Sequence, residues 1–256
     1  MTSVASYLGP PGIALLAGEL RAVVPNFPIK RFTRLANLGL SPLSLFGRAN
    51  HVAKALDEVL QQTFPHVVRI IVEAAGAPRC APGYGPMENF RLLAYTRLIS
   101  LSGQSFFTES MWGLRELTKR FTSEFDIRPF LMNAESATLK TLRGWIEDDD
   151  LHVRRLVSEG TRSRLPWGVH LRSFRQDPSK VASLIENLKT DCSRYVQISV
   201  ANNLADIIKD NSEYGLRLAE KWVESSHPMT MKIVHHAVRF PAKHGNKRAL
   251  ALRVMS

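Results

Sequence analysis

Between Leu151 and Gly168 the chain reads Leu-His-Val-Arg-Arg-Leu-Val-Ser-Glu-Gly-Thr-Arg-Ser-Arg-Leu-Pro-Trp-Gly, and it changes character halfway. On a helix starting near Asp150, Val153, Leu156 and Val157 share one face. His152, Arg155, Glu159 and Arg162 follow one another on a different face at spacings of three, four and three. Glu159 therefore has an arginine one turn away on either side. Such a row is either a surface ion-pair ladder, worth about 0.2–0.5 kcal/mol per pair, or the charged wall of a site. The residues that follow favour a site: Gly160 weakens the helix end, Arg162 and Arg164 crowd the exit, and Pro166 fixes a turn that presents Trp167 from a loop. A second carboxylate, Asp206, stands beside Asn202 and Asn203 on a helix from Ser193 to Lys209. There Val196, Val200, Leu204 and Ile207 are the core face. Two asparagines in mid-helix compete for backbone hydrogen bonds, so either function or a hydrogen-bond ladder between repeats must offset their cost. A third, Glu124, lies four residues before Arg128, where it is either a helix-end partner of that arginine or another site carboxylate.

The elements that position these residues are helices. Apolar residues recur at a 3.6-residue period almost throughout, with little alternation of period two, which predicts an all-α fold. Val52, Leu56, Val59 and Leu60 form one stripe ended at Phe64-Pro65, and a helix from His66 to Ala75 follows. The segment Ala77–Pro86 holds three Pro and two Gly and must be a loop. It closes an N-terminal helical subdomain over 1–76 within a single domain of 1–256. Further helices are expected at Met87–Ser102, Thr108–Phe121 and Ser136–Trp145, and helix starts at Asp177-Pro178 and Asn211-Ser212. Three windows look alike: Val153–Val157, Val196–Val200 and Val234–Val238. Their starts lie 43 and 38 residues apart, and each is preceded by a shorter helix containing or ending at Trp145, Leu188 or Trp222. That period fits two-helix HEAT-like repeats, which stack into a curved α-solenoid with a concave face.

Charge suggests the partner. The 256 residues carry 34 Lys+Arg against 23 Asp+Glu, a net +11, and residues 229–256 hold Lys232, Arg239, Lys243, Lys247, Arg248 and Arg253 with no acid. This favours a polyanion such as nucleic acid, with an anionic membrane surface as competitor and a solvated face as the plain alternative. Two distant cysteines, Cys80 and Cys192, exclude a disulfide framework, a four-thiolate zinc site and an iron–sulfur cluster, and suit a reducing cytoplasmic setting. His235 and His236 are adjacent and cannot both face one ion on a helix; no metal or nucleotide cofactor is expected. No apolar run reaches the length of a membrane span, and the start lacks a basic n-region.

Three long strings, Leu117–Phe130, His152–Trp167 and Val200–Asn211, carry a resemblance covering about Arg21 to Ala251. The chain resembles the HEAT-like-repeat DNA alkylation-repair glycosylases, in particular the AlkC branch of the AlkC/AlkD superfamily. Two departures stand out: Ser163 occupies a position where the family pattern usually has Pro, which is expected to loosen the Trp167 loop, and no immunoglobulin-like C-terminal domain is expected. The resemblance implies base-excision repair of duplex DNA by hydrolysis of the N-glycosidic bond of cationic N3-alkylated bases, chiefly 3-methyladenine and also 3-methylcytosine. It further implies that the enzyme bends the duplex and has no deep pocket for a flipped base. Carried over position by position, Glu124, Glu159, Trp167 and Asp206 line the site, with Glu159 the main electrostatic stabiliser and the candidate base that positions water. Arg155, Arg162, Arg164, Lys247 and Arg248 contact phosphates of a basic groove, no cofactor takes part, and the protein is a monomer. A non-catalytic helical scaffold that binds nucleic acid or protein is the competing reading.

Overall fold

Residues 3–255 are described by a computed structural model, and every regular element among them is helical. The chain divides into two units of closely packed helices, Met1–Phe130 and Leu131–Ser256.

In the first unit a 3₁₀ turn at Val4–Leu8 leads into α1 (Pro10–Val23), α2 (Ile29–Asn37), α3 (Leu45–Leu60) and α4 (Phe64–Ala74). A second 3₁₀ segment, Met87–Leu92, precedes α5 (Leu93–Ser102) and α6 (Phe107–Thr118). The expected stripe on α3 is buried, with Val52 and Leu56 fully enclosed and Lys54, Asp57 and Glu58 exposed. Ser44 caps this helix by accepting from Gly47 N at 3.3 Å, and left-handed Gln61 ends it. Pro65 does not stop α3, which has already ended at Leu60; it sits in the first turn of α4, where its missing N–H costs nothing. The single helix expected over Met87–Ser102 is broken in two. Arg91, on the 3₁₀ part, donates to Glu19 of α1 through Nε at 3.0 Å and also through Nη2, and to the Glu88 carbonyl at 2.9 Å, a tertiary tie that local period does not reveal.

The Pro/Gly-rich loop forms as expected and is strapped down by one side chain. Arg79 donates to the carbonyls of Arg120 at 2.6 Å and Phe121 at 3.0 Å and to that of Gly83, while its own N–H bonds Lys119 O at 2.9 Å. Helices on either side of the loop pack together, α3 on α5 and α4 on α6.

α7 (Arg128–Asn133) carries the chain into the second unit. There α8 (Glu135–Gly144), α9 (Leu151–Gly160), α10 (Arg172–Gln176) and α11 (Ser179–Asn187) precede α12 (Arg194–Asp210), and α13 (Ser212–Glu224), α14 (Pro228–Ala237), α15 (Arg239–Lys243) and α16 (Lys247–Met255) follow it. α12 is the longest and lies between α9 on one side and α14 on the other, so helices carrying the three similar windows pack side by side. Val153, Leu156, Val157, Val196, Val200 and Leu204 all reach zero exposure at these contacts. The expected shorter-then-longer order holds only for α11 and α12: α8 and α9 have ten residues each, and in the third pair the order is reversed, α13 having 13 residues and α14 ten. Gly215 permits the tight start of α13, since a Cβ there would lie 2.7 Å from the Ile208 Cα; Leu216, Ala219 and Trp222 then extend the buried face. No described helix is long and apolar enough to cross a membrane.

Candidate functional site: a buried acidic seam on α12

Four polar residues of α12, Ser199, Asn203, Asp206 and Asp210, follow one another at spacings of four, three and four, which places them on a single face. That face meets α9 and the segment after it. Ser199 Oγ donates to Glu159 Oε2 at 2.6 Å. Asn203 Nδ2 donates to the Ser158 carbonyl at 2.7 Å and to Thr161 Oγ1 at 3.1 Å. Asp206 accepts from Arg162, Nε to Oδ2 at 2.9 Å and Nη2 to Oδ1 at 3.4 Å. Asn203 is thus the hydrogen-bond link between repeats that mid-helix asparagines suggested. The other asparagine, Asn202, points to α14 and meets His236 Nε2 at 3.1 Å.

The row His152, Arg155, Glu159, Arg162 keeps its helical spacing, but it is no surface ladder: His152, Arg155 and Glu159 are all buried. Asp150 caps α9 by accepting from His152 N at 2.8 Å, and the helix ends at Gly160 as the sequence suggested. Arg162 is the hinge of the arrangement, donating to Glu159 Oε1 at 2.7 Å as well as to Asp206. Arg155 lies over the Tyr195 ring, 4.8 Å from its centroid, with Nη2 3.7 Å from Glu159 Oε2. Burial pushes the Glu159 carboxyl up, but Arg155, Arg162 and the Ser199 hydrogen bond outweigh it and hold the group below the usual carboxylate range. Both oxygens of Glu159 already accept short hydrogen bonds. The group is therefore a fixed negative charge rather than an efficient proton acceptor.

Trp167 is presented as the sequence reading anticipated. Its side chain is 69 % exposed and its backbone is left-handed, with φ +64°, a conformation that a bulky residue adopts only when its surroundings impose it. Leu165 and Leu171 on either side are buried, so the loop is rooted in the core while its tip faces solvent. Ser163 is buried and tied twice: Oγ donates to Asp210 Oδ2 at 2.7 Å, and its carbonyl accepts from Leu171 N at 3.3 Å. Arg164 also holds Asp210, with Nε 2.6 Å from Oδ1.

Glu124 belongs to the first unit and is buried. Tyr84, from the strapped Pro/Gly loop, donates to its Oε1 at 3.2 Å, and Thr122 Oγ1 donates to its Oε2 at 2.9 Å. Nearby, Ser123 Oγ bonds the Leu114 carbonyl at 2.7 Å, fixing the segment against α6. Of the expected phosphate contacts, Arg155, Arg162 and Arg164 cluster on α9 and its exit, where carboxylates engage each of them. The other two start α16. Arg248 forms a fork on Glu220, 2.8 Å at both contacts, and reaches Glu213 at 2.6 Å, whereas Lys247 is exposed and pairs with no carboxylate among the described residues. Ser199, Asp210 and Tyr195 were missed from sequence. The spacing of 199, 203, 206 and 210 was the available signal for the first two.

A chain of stacked helices that buries ionised carboxylates along a seam between repeats falls in the class of all-α helical-repeat proteins. No family model matches it. It is similar to the protein YhaZ of Bacillus subtilis (strain 168), 35 % identical over 241 residues that make up 94 % of this chain and 65 % of YhaZ. It is also similar to a solved structure, the Pseudomonas fluorescens alkylpurine DNA glycosylase AlkC bound to DNA containing an abasic site analog. The TM-score is 0.90 and identity is 36 %, over 98 % of this chain and 68 % of that one. The chain belongs to the AlkC family of alkylpurine DNA glycosylases and has its helical-repeat fold. It spans about two thirds of the length of these relatives.

Proposed function

We propose that this protein is a DNA glycosylase of base-excision repair that releases cationic N3-alkylated bases, chiefly 3-methyladenine and also 3-methylcytosine, from duplex DNA. The observation that carries the reading is the buried, ionised Glu159, joined to Asp206 through Arg162. An N3-alkylated base already bears positive charge. When its bond to C1′ breaks, the electron pair leaves with the base and neutralises it, so no acid is needed. Positive charge then builds on the deoxyribose, water adds to C1′, and its proton passes to solvent. A site for this reaction has to supply a negative field that does not reorganise, and that is what a carboxylate fixed by Arg162 and Ser199 supplies.

Asp206 adds a second negative charge on the same scaffold, and Trp167 offers its exposed face to the cationic nucleotide; the family resemblance gives the buried Glu124 of the first unit a supporting role. Arg155, Arg162 and Arg164 serve mainly to hold carboxylates, leaving Lys247 the freest of the expected phosphate contacts. The enzyme uses no metal or cofactor, works as a monomer, and acts in the cytoplasm, where the exposed Cys80 and Cys192 remain thiols.

The test is incubation of the protein with methylated duplex DNA and chromatography of the released bases. Free 3-methyladenine, with an alkali-labile site left in the strand, is expected. Tight DNA binding with no base released would replace this reading with that of a non-catalytic scaffold.

A further inference from the structure

The carboxylate of Asp210, at the last residue of α12, is almost wholly enclosed, and three donors converge on it, two from the loop after α9 and one from α10, which follows that loop. Ser163 and Arg164 reach it from the N-terminal side of Trp167, at 2.7 and 2.6 Å; Arg175 reaches it from the C-terminal side, Nε to Oδ1 at 3.0 Å. The next residue, Asn211, reinforces the second limb by donating Nδ2 to the Arg175 carbonyl at 2.7 Å. One side chain therefore closes both ends of the segment 163–175, at whose tip Trp167 stands exposed on a left-handed backbone. Asp210 also lies one helical turn, about 6 Å, beyond Asp206, which grips Arg162 and through it Glu159. A single rigid helix thus sets where the tryptophan loop stands relative to the acidic seam.

We infer that Asp210 is a positioning residue: it clamps both limbs of the 163–175 loop onto α12 and so fixes Trp167 beside the carboxylates. The inference rests on the proposed role of Trp167 in the glycosylase reading. The Ser163 hydroxyl takes part in the same clamp, so serine at this position tethers the loop through a hydrogen bond. A merely structural role for Asp210 would lower stability without singling out Trp167. A positioning role predicts that loss of the carboxylate frees this tryptophan and slows chemistry while substrate binding changes little.

The experiment is ¹⁹F NMR of the full chain labelled with 5-fluorotryptophan, with the Trp167 resonance assigned from its loss in Trp167→Phe. Asp210→Asn is expected to shift or broaden that resonance alone, leaving those of Trp112, Trp145 and Trp222 in place, and Asp210→Glu to perturb it less. Base release by Asp210→Asn should show kcat at least about tenfold lower, with KM within about threefold of wild type. If Asp210→Asn does not fold, Ser163→Ala removes one donor only and should give a smaller change at the same resonance. An unmoved Trp167 resonance, an equal change at Trp145 and Trp222, or an unaltered kcat would overturn the inference. If wild type releases no methylated base, the glycosylase reading fails, and the ¹⁹F comparison still decides whether Asp210 holds the loop.

Discussion

Replacing Arg162 with Ala removes the guanidinium that joins Glu159 to Asp206. The two carboxylate side chains are 7 % and 12 % exposed. Glu159 retains the Ser199 hydroxyl and a more distant Arg155, while Asp206 loses its partner among the described residues. Removing one member of a buried ion pair costs about 3–5 kcal/mol, because the remaining charge is left uncompensated. Slight water access at Asp206 favours the lower end of that range. For a helical unit of this size the loss corresponds to a fall of about 10–15 °C in Tm.

The sign with pH follows from Glu159, whose carboxyl the arginines hold below its ordinary value. Its contribution to stability is full above the unfolded pKa, about 4.3, and fades as pH falls through the lowered folded value. In Arg162→Ala part of the attraction that opposes burial is gone, and the carboxyl takes up a proton more readily than in wild type. The gap between wild type and variant is therefore largest near pH 7 and narrows on acidification. Scanning calorimetry of both proteins at pH 7.5 and pH 4.5 measures it. A fall in Tm of less than about 3 °C at pH 7.5, or a gap that widens at pH 4.5, would refute the view that Arg162 neutralises two buried carboxylates.

Other outcomes follow from the same geometry. Asn203→Ala strips the Ser158 carbonyl and Thr161 hydroxyl of a buried donor, so a loss of about 1–3 kcal/mol is expected in urea denaturation; a loss below about 0.5 kcal/mol would mean that these groups find new partners. Trp167→Gly relieves a left-handed backbone at a site with little buried area. Its Tm should match or exceed wild type while base release falls at least about tenfold, and a clear drop in Tm would show that Trp167 packs more than its exposure indicates. Lys247→Ala should reduce the salt dependence of DNA affinity by about one counterion, and Arg248→Ala by less, since Glu220 and Glu213 already engage Arg248; fluorescence titrations at several salt concentrations would contradict this if the order were reversed.

Much of the local structure around the candidate site was legible in residue spacing. The Asp150 cap, the apolar face of α9, its end at Gly160 and the exposed Trp167 all follow from local rules of capping, period and turn formation. The environment of the polar face did not follow. A row of His, Arg and Glu on one helix looks like a solvated ladder until another helix covers it, and that cover is the Ser199–Asp210 stripe, 40 residues or more further on. Ser199 and Asp210 escaped notice because a serine and a terminal aspartate are ordinary on a helix; only their shared face with Asn203 and Asp206 distinguishes them. The break at Leu92 likewise coincides with a contact remote in sequence, the Arg91–Glu19 tie.

The central claim is that the ionised Glu159 carboxylate stabilises the sugar cation, and single-turnover release of 3-methyladenine from methylated duplex DNA by wild type and Glu159→Gln tests it most directly. Glutamine keeps the shape of the side chain and removes its charge. The account predicts a rate at least about a hundredfold lower for Glu159→Gln, with DNA affinity nearly unchanged. Equal rates from two well-folded proteins would contradict it.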